Sequence, residues 1–221
     1  MSQDKLLDYI SKVFKPHPWH GIKMETDREG EVHAFIEIVP TDTVKYEMDK
    51  ESGYLKVDRP QKFSNIIPSL YGFVPQTYCW DKTAAYSNEK TGRTDLVGDG
   101  DALDICVLTE KAINHGDLIL SAIPIGGFRM IDGDEADDKI IAILRDDPLY
   151  GAIKDIENCP QPVIDRLVHY FLTYKQIPGV SDKATCEITH IYGREEAWKV
   201  LKLSSEDYHD QHDYKSTLLG Q

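Results

Sequence analysis

The chain has 221 residues and a formal net charge of -13 at pH 7, which argues against a nucleic-acid backbone or an anionic membrane as partner. Its length suits one well-packed domain over residues 1–221, with room for added terminal elements. We find neither a membrane-span run nor the basic-then-apolar order of a signal peptide. Its four cysteines form no C-x-x-C pair, so we expect free thiols and a cytoplasmic location.

The first part of the chain predicts one helix followed by strands. A short amphipathic helix is expected over residues 4–14, and residues 32–39 are apolar and β-branched, as in a strand. The only carboxylate of that strand is Glu37, which therefore lies either on a solvent face or in a site. Strands are expected to dominate as far as Leu144, except for residues 76–97, whose polar, turn-rich composition predicts a long loop.

A hairpin is predicted over residues 44–59, with Gly53 as the residue of positive φ in its turn. Alternation places Lys45 and Glu47 on one face of its first strand. In the second strand Arg59 continues an apolar face, and its planar guanidinium suits phosphate oxygens. Taken alone, Lys45 and Glu47 fit a cross-strand ladder of surface charges better than a binding site.

Three carboxylates within six residues, Asp99, Asp101 and Asp104, lie on a glycine-containing turn that leads into an apolar strand. At about 5 Å and an effective dielectric constant of about 20, each ionised pair repels by roughly 3 kcal/mol. Such a cluster indicates a bound cation. Oxygen ligands without a nearby His or Cys suit Mg²⁺, Mn²⁺ or Ca²⁺ better than Zn²⁺. A solvated acidic turn is the alternative.

A second acidic turn repeats this arrangement over residues 132–139 and leads into the strand predicted at 140–144. Two such loops at neighbouring strand ends could form a site for several metal ions. A lysine beside the acids, Lys139, makes sense if an anion also binds there. A solvated hairpin tip remains the alternative.

The C-terminal part predicts helices. One is expected from Pro162 to Pro178, with Tyr174 and Lys175 in its last turn, where a core tyrosine and a dipole-compensating lysine would explain both residues. Another is expected over residues 194–212. The histidine-containing segments 17–20 and 209–212 are interpreted as surface features. The order of elements predicts an α+β protein, a compact β-barrel with α-helices packed outside.

Together these landmarks resemble the family I soluble inorganic pyrophosphatases. The family signature D-x-D-x-x-D followed by an apolar residue is matched by Asp99, Asp101, Asp104 and Ile105, and the agreement continues at 36–38, 45–47, 49–53, 57–59, 71–73, Asp132, Asp137, Lys139, Tyr174 and Lys175. This resemblance covers residues 32–178. The chain departs from the family in having Ala102 at a usual proline position and a longer stretch between Tyr71 and Asp99.

The resemblance implies a small OB-like five-stranded barrel and hydrolysis of pyrophosphate to two phosphates with several Mg²⁺ ions, for which Mn²⁺ or Zn²⁺ could substitute. By position, the metal ligands would be Asp99, Asp104 and Asp137, with Asp132 and Glu37 supporting further ions. It also implies that Asp101 is the catalytic residue that orients the attacking water and takes its proton. Substrate contacts would come from Lys45, Arg59, Tyr71, Lys139, Tyr174 and Lys175, with Glu47 pairing with these cations. Family members form dimers or hexamers, so a homo-oligomer is expected.

Two other functions remain open from the sequence. A metal-dependent transferase could use a D-x-D loop to bind a nucleotide diphosphate, although no nucleotide-binding glycine motif is present. A non-catalytic barrel that binds divalent cations or a protein partner is the other.

Overall fold

The computed structural model describes residues 13–177, 180 and 186–212, so the helix predicted over residues 4–14 lies almost entirely outside the described residues. The strands are β1 (Val32–Ile38), β2 (Val44–Met48), β3 (Leu55–Pro60), β4 (Leu70–Phe73), β5 (Val97–Gly98), β6 (Asp104–Leu108), β7 (Leu118–Asp132), β8 (Glu135–Ala136), β9 (Lys139–Leu144) and β10 (Cys186–Gly193). The helices are α1 (Asp81–Thr91), α2 (Gln161–Thr173) and α3 (Arg194–Gln211), with a 3₁₀ turn at Ile156–Asn158.

Five strands form a closed ring in the order β1–β4–β6–β9–β7, because β7 also pairs with β1. The long β7 allows this closure: its first residues pair with β1, and the residues that follow pair with β9. All pairs in the ring are antiparallel except β6–β9. The predicted OB-like five-stranded barrel with flanking helices is therefore confirmed. The hairpin β2–β3 forms a separate two-stranded sheet, and Gly53 in its turn has a φ of +71° as expected.

Alternate residues of the central strands face two apolar layers. Ile105 and Val107 of β6 pack in a cluster that includes Leu201 of α3. Cys106 and Leu108 pack in another cluster together with α2. Because both faces of β6 and β9 are covered, these strands are almost continuously apolar in sequence. This rigid double layer holds the polar residues at the strand ends.

The prediction of a loop over residues 76–97 is wrong, because half of this stretch is helix α1. Its buried side chains are Thr83, Ala84 and Ser87, small residues that give no apolar stripe in the sequence. The helix begins against α3, where the Asp207 carboxylate accepts hydrogen bonds from the backbone N–H groups of Lys82 and Thr83 at 3.0 Å. A capping group 125 residues away is invisible to local sequence patterns.

Strand β10 was also missed by the sequence analysis, which expected only helices after Leu144. It pairs antiparallel with the second half of β7 and leads directly into α3, whose predicted extent is confirmed. Helix α2 is shorter than predicted, so that Tyr174 is its C-cap and Lys175 follows it. No helix in the described part of the chain has the length and apolar character needed to cross a membrane.

The prediction of surface features is wrong for His17, His20 and His212, which are partly buried and pack together, whereas residues 209–211 are exposed as predicted. Trp19 is only 3% exposed, its ring lies 5.4 Å from that of His212, and the His20 Nδ1 is 2.9 Å from the Tyr208 hydroxyl. Burial, with the neighbouring His17 and His212, lowers the pKa of His20 to about 4. These contacts attach the segment before β1 to the end of α3.

Candidate active site

A cavity of about 350 Å³ opens where the ends of β4 and β7 meet the starts of β6 and β9. It is lined by every residue that the sequence nominated as a site residue: Glu37, Lys45, Glu47, Arg59, Tyr71, Asp99, Asp101, Asp104, Asp132, Asp137, Lys139, Tyr174 and Lys175. These residues come from segments separated by up to about 140 positions and are brought together only by closure of the barrel. Their individual roles remain predictions.

The turn from Asp99 to Asp104 enters the cavity between β5 and β6. Gly100 has a φ of +72°, a conformation that glycine adopts without strain. The Asp99 carboxylate accepts a hydrogen bond from the Asp101 backbone N–H at 2.9 Å, which closes the turn locally. Because Asp99 is partly buried and lies near Asp137, its pKa is raised well above the ordinary value. The side chain of Asp101 is 55% exposed at the cavity mouth.

Lys139 is the cation at the centre of the site. In the parallel pairing of β6 with β9, Lys139 lies opposite Asp104, and its ammonium contacts the carboxylates of both Asp104 and Asp137. The Tyr71 hydroxyl donates to the same Asp104 oxygen at 2.6 Å. The Lys139 side chain is only 3% exposed, and burial raises the pKa of Asp137 to about 6 although Lys139 opposes this shift. The charges of the two carboxylates are therefore costly without a neighbouring cation.

Glu37 is aimed into the site rather than towards solvent. It is 7% exposed, and its Oε1 accepts a hydrogen bond from the Met48 backbone N–H at 2.7 Å. Burial raises the pKa of Glu37 to about 8, with the nearby charge of Asp104 adding to the effect. The prediction left the solvent face and the site as alternatives, and the structure selects the site.

Asp132 ends β7 at the opposite wall of the cavity. Its carboxylate forms an ion pair with Lys175, and the Cys186 thiol of β10 donates to its other oxygen at 3.4 Å. Tyr174 lines the same wall. The C-terminal end of α2 thus brings a cation and a phenol to the acidic turn that precedes β8.

The hairpin residues combine the two interpretations that the sequence left open. Lys45 pairs across the hairpin with Arg59, and its ammonium contacts Glu47 at 3.3 Å and Asp58 at 3.0 Å, as a surface ladder would. The side chains of Lys45, Glu47 and Arg59 also line the cavity. Their charge is partly compensated by acids within the hairpin, and the remaining cationic surface faces the carboxylates of the barrel.

Lys50 is a charged site residue that the sequence analysis did not single out. Its ammonium forms an ion pair with Asp101 and donates to the carbonyl oxygen of Gly100 at 3.1 Å. Glu135 and Trp19 also line the cavity without having been predicted. The turn 49–53 belonged to the resemblance, so its lysine could have been nominated from its position there.

The donor set fits a small divalent cation. Carboxylate oxygens dominate the cavity, and Mg²⁺ prefers oxygen ligands while keeping several waters and only one or two protein carboxylates. Among the described residues no three His, Cys, Asp or Glu side chains converge tightly enough to ligate one ion by themselves. That is compatible with ions held between carboxylates and an anionic substrate, as in phosphate-transfer sites.

Comparisons with known proteins identify the family of the chain. The profile of the family described as inorganic pyrophosphatase matches residues 34–209. An inorganic pyrophosphatase of Chlamydia muridarum is 54% identical over 195 residues, covering 87% of this chain and 93% of the relative. The chain belongs to the inorganic pyrophosphatase family. The predicted resemblance and the predicted activity, hydrolysis of pyrophosphate, are therefore confirmed.

Solved structures of other pyrophosphatases share the fold. The chain matches the inorganic pyrophosphatase of Helicobacter pylori with a TM-score of 0.69 at 30% identity, covering 85% of this chain and 99% of that one. The enzyme of Thermus thermophilus matches with a TM-score of 0.69 at 26% identity, covering 85% of this chain and 96% of that one. Membership of this family argues against the two alternatives that the sequence left open, the transferase and the non-catalytic barrel.

Proposed function

We propose that this pyrophosphatase uses Mg²⁺ ions held by Asp99, Asp104 and Asp137, with Asp132 and Glu37 binding further ions. When bound, the ions neutralise phosphate oxygens and lower the pKa of a coordinated water. The observation that carries this assignment is the contact of the Lys139 ammonium with both Asp104 and Asp137. The two buried carboxylates need a cation between them, and the same lysine lines the cavity that the anionic substrate would enter.

Asp101 is proposed to orient the attacking water and to accept its proton. It lies at the cavity mouth, exposed enough to exchange that proton with solvent. Its carboxylate forms an ion pair with Lys50 at the cavity opening. An ionised carboxylate is required in a general base.

The remaining cations are proposed to bind the two phosphoryl groups. Lys45 and Arg59 approach from the hairpin, Lys139 from the barrel and Lys175 from the end of α2. Tyr71 and Tyr174 add hydroxyl donors, and Glu47 restrains Lys45. Donors on both sides allow one phosphate to be held for attack while charge develops on the leaving phosphate, which is the costly part of phosphoryl transfer.

The substrate and metal assignments are tested by phosphate release from pyrophosphate, ATP and a sugar nucleotide, each with Mg²⁺ and with a chelator. Release from pyrophosphate alone, dependent on Mg²⁺, is the expected result. Preference for a nucleotide or sugar nucleotide would contradict the substrate, and undiminished release in the chelator would contradict the metal. Mn²⁺ and Zn²⁺ are tested in place of Mg²⁺, with lower turnover expected for both.

We further propose that the protein is a cytoplasmic homo-oligomer, a dimer or a hexamer. The four cysteines, all within the described residues, are buried and joined by no disulfide, as expected of thiols in a reducing compartment. Exposed apolar side chains on the hairpin and the following loop, Tyr54, Val57, Phe63 and Ile66, support contacts between subunits. Light scattering with size-exclusion chromatography distinguishes monomer, dimer and hexamer, and a monomer would contradict the proposal.

A further inference from the structure

Arg129 of β7 is a fully buried arginine that contacts Asp138 of the second acidic turn. Its guanidinium donates to Asp138 through Nε at 3.3 Å and through Nη2 at 3.0 Å. Its Nη1 donates to Glu196 of α3 at 3.2 Å. Asp138 also accepts a hydrogen bond from the Tyr192 hydroxyl at 3.0 Å. None of these four residues was nominated by the sequence, and none lines the active-site cavity.

Two tyrosine rings enclose this guanidinium. The Arg129 Cζ lies 4.9 Å from the ring centre of Tyr86 on α1 and 5.1 Å from that of Tyr192 on β10. Gly127 makes room for the second ring, because a Cβ at that position would lie 2.5 Å from the Tyr192 ring atoms. The two tyrosine rings and the carboxylates of Asp138 and Glu196 leave the guanidinium little freedom to rotate.

Asp138 connects this cluster to the active site through the backbone. Asp137 and Lys139 contact each other within the cavity, so their side chains lie on one side of the chain. Asp138, between them, reaches Arg129 instead. The same segment is held to β7 by the Asp137 N–H, which donates to the Met130 carbonyl oxygen at 3.0 Å.

Net stabilisation is a weak explanation for this buried pair. Desolvation of two charges is costly, and an apolar pair of similar volume is often as stable. A two-pronged arginine–carboxylate contact does, however, fix the relative position of its partners better than apolar packing does. The feature that needs fixing here is the segment that carries a metal carboxylate and a phosphate-binding lysine.

We propose that Arg129 and Asp138 are positioning residues that set the placement of Asp137 and Lys139. Tyr86 and Tyr192 hold the arginine in the orientation that does so. This inference rests on the proposed roles of Asp137 and Lys139. Through it α1, β10 and α3, which contribute little to the cavity wall, influence metal binding.

The test compares Asp138→Asn and Arg129→Lys with a matched control, Arg145→Lys. Arg145 follows the other end of β9 and pairs with Glu31 and Asp27, away from the cavity. For each variant, Mg²⁺ affinity of the metal-free protein is measured by calorimetry, Mg²⁺ dependence of kcat and KM by phosphate release, and the unfolding midpoint by thermal melting.

Loss of a residue that supports a metal ligand typically weakens metal binding or activity by about 10–100-fold. We expect this loss in Asp138→Asn and Arg129→Lys, seen in Mg²⁺ affinity and kcat, with Arg145→Lys within about twofold of wild type. Wild-type Mg²⁺ affinity and kcat in both test variants, whatever their unfolding midpoints, would overturn the inference. If wild-type protein released no phosphate from pyrophosphate, the proposed function would fail instead, while calorimetry would still report on the positioning.

Discussion

Replacing Lys139 by methionine tests whether a metal ion can replace the lysine ammonium in neutralising the neighbouring carboxylates. The change keeps most of the apolar stem and removes the ammonium that contacts Asp104 and Asp137. Removing one partner of a buried ion pair costs about 3–5 kcal/mol. A separate estimate agrees, since two carboxylates about 5 Å apart repel by roughly 3 kcal/mol at an effective dielectric constant of about 20.

We therefore expect Lys139→Met to lower the free energy of unfolding by about 3–5 kcal/mol in a chelator at pH 7.5. In the wild type burial raises the pKa of Asp137 to about 6 against the opposing effect of Lys139, so in the variant that pKa rises further and part of the cost is met by proton uptake. In saturating Mg²⁺ the deficit should fall to less than half, because the freed carboxylates bind the ion more tightly than those of wild type do. Turnover should not recover with the fold, since the proposed phosphate contact is still missing.

Urea denaturation with and without Mg²⁺ measures both free energies, and phosphate release measures turnover. A suitable control is Lys82→Met, whose lysine pairs with Asp210 at the surface and whose loss should change the free energy of unfolding little under either condition. Equal deficits for Lys139→Met in chelator and in Mg²⁺ would refute the reasoning. Full recovery of turnover in Mg²⁺ would contradict the proposal that Lys139 contacts the substrate.

Three further predictions concern the metal, the base and the histidine cluster. Asp101→Asn should reduce phosphate release by about 10²–10⁴-fold while Mg²⁺ still binds in calorimetry, and more than about a tenth of wild-type activity would contradict its role as base. Because the pKa of Glu37 is raised to about 8, its carboxyl group is protonated at pH 7 in the metal-free protein. Mg²⁺ binding should displace this proton. The calorimetric heat of Mg²⁺ binding should then depend on the ionisation enthalpy of the buffer below pH 8 but not well above it. Because the folded-state pKa of His20 is depressed to about 4 from 6.5, stability should fall as pH decreases through this window, and His20→Gln should lessen that loss in urea denaturation.

Three of the five barrel strands could be predicted because each carries its own signal. Runs of β-branched residues marked β1, β6 and β9, and the alternation with Gly53 marked the hairpin. The acidic turns could be predicted for the same reason, since clustered carboxylates at strand ends are too repulsive to be accidental. Joining them into one cavity needed the ordered resemblance, because closure of the barrel depends on pairing of β1 with β7, about 85 residues apart.

Elements whose stability comes from distant partners were not predictable. Helix α1 has small buried residues and begins on a carboxylate supplied by α3. The histidines of residues 17–20 look like solvated polar positions until Tyr208 and His212 are placed beside them. In each case the sequence contains both partners but no local pattern that associates them.

Arg129 illustrates the limit most clearly. An arginine inside the β-branched and aromatic run of β7 reads as an exposed residue on an otherwise buried strand, since burying an unpaired guanidinium is prohibitive. The desolvation cost of burying Arg129 is offset only by its contacts with Asp138, Glu196 and the two tyrosine rings. Those partners lie on four other segments, three of which the sequence analysis missed or left without a role. The carboxylates of the two acidic turns can thus be recognised because they are also clustered in sequence, whereas the residues that hold them are defined only by contacts across the fold.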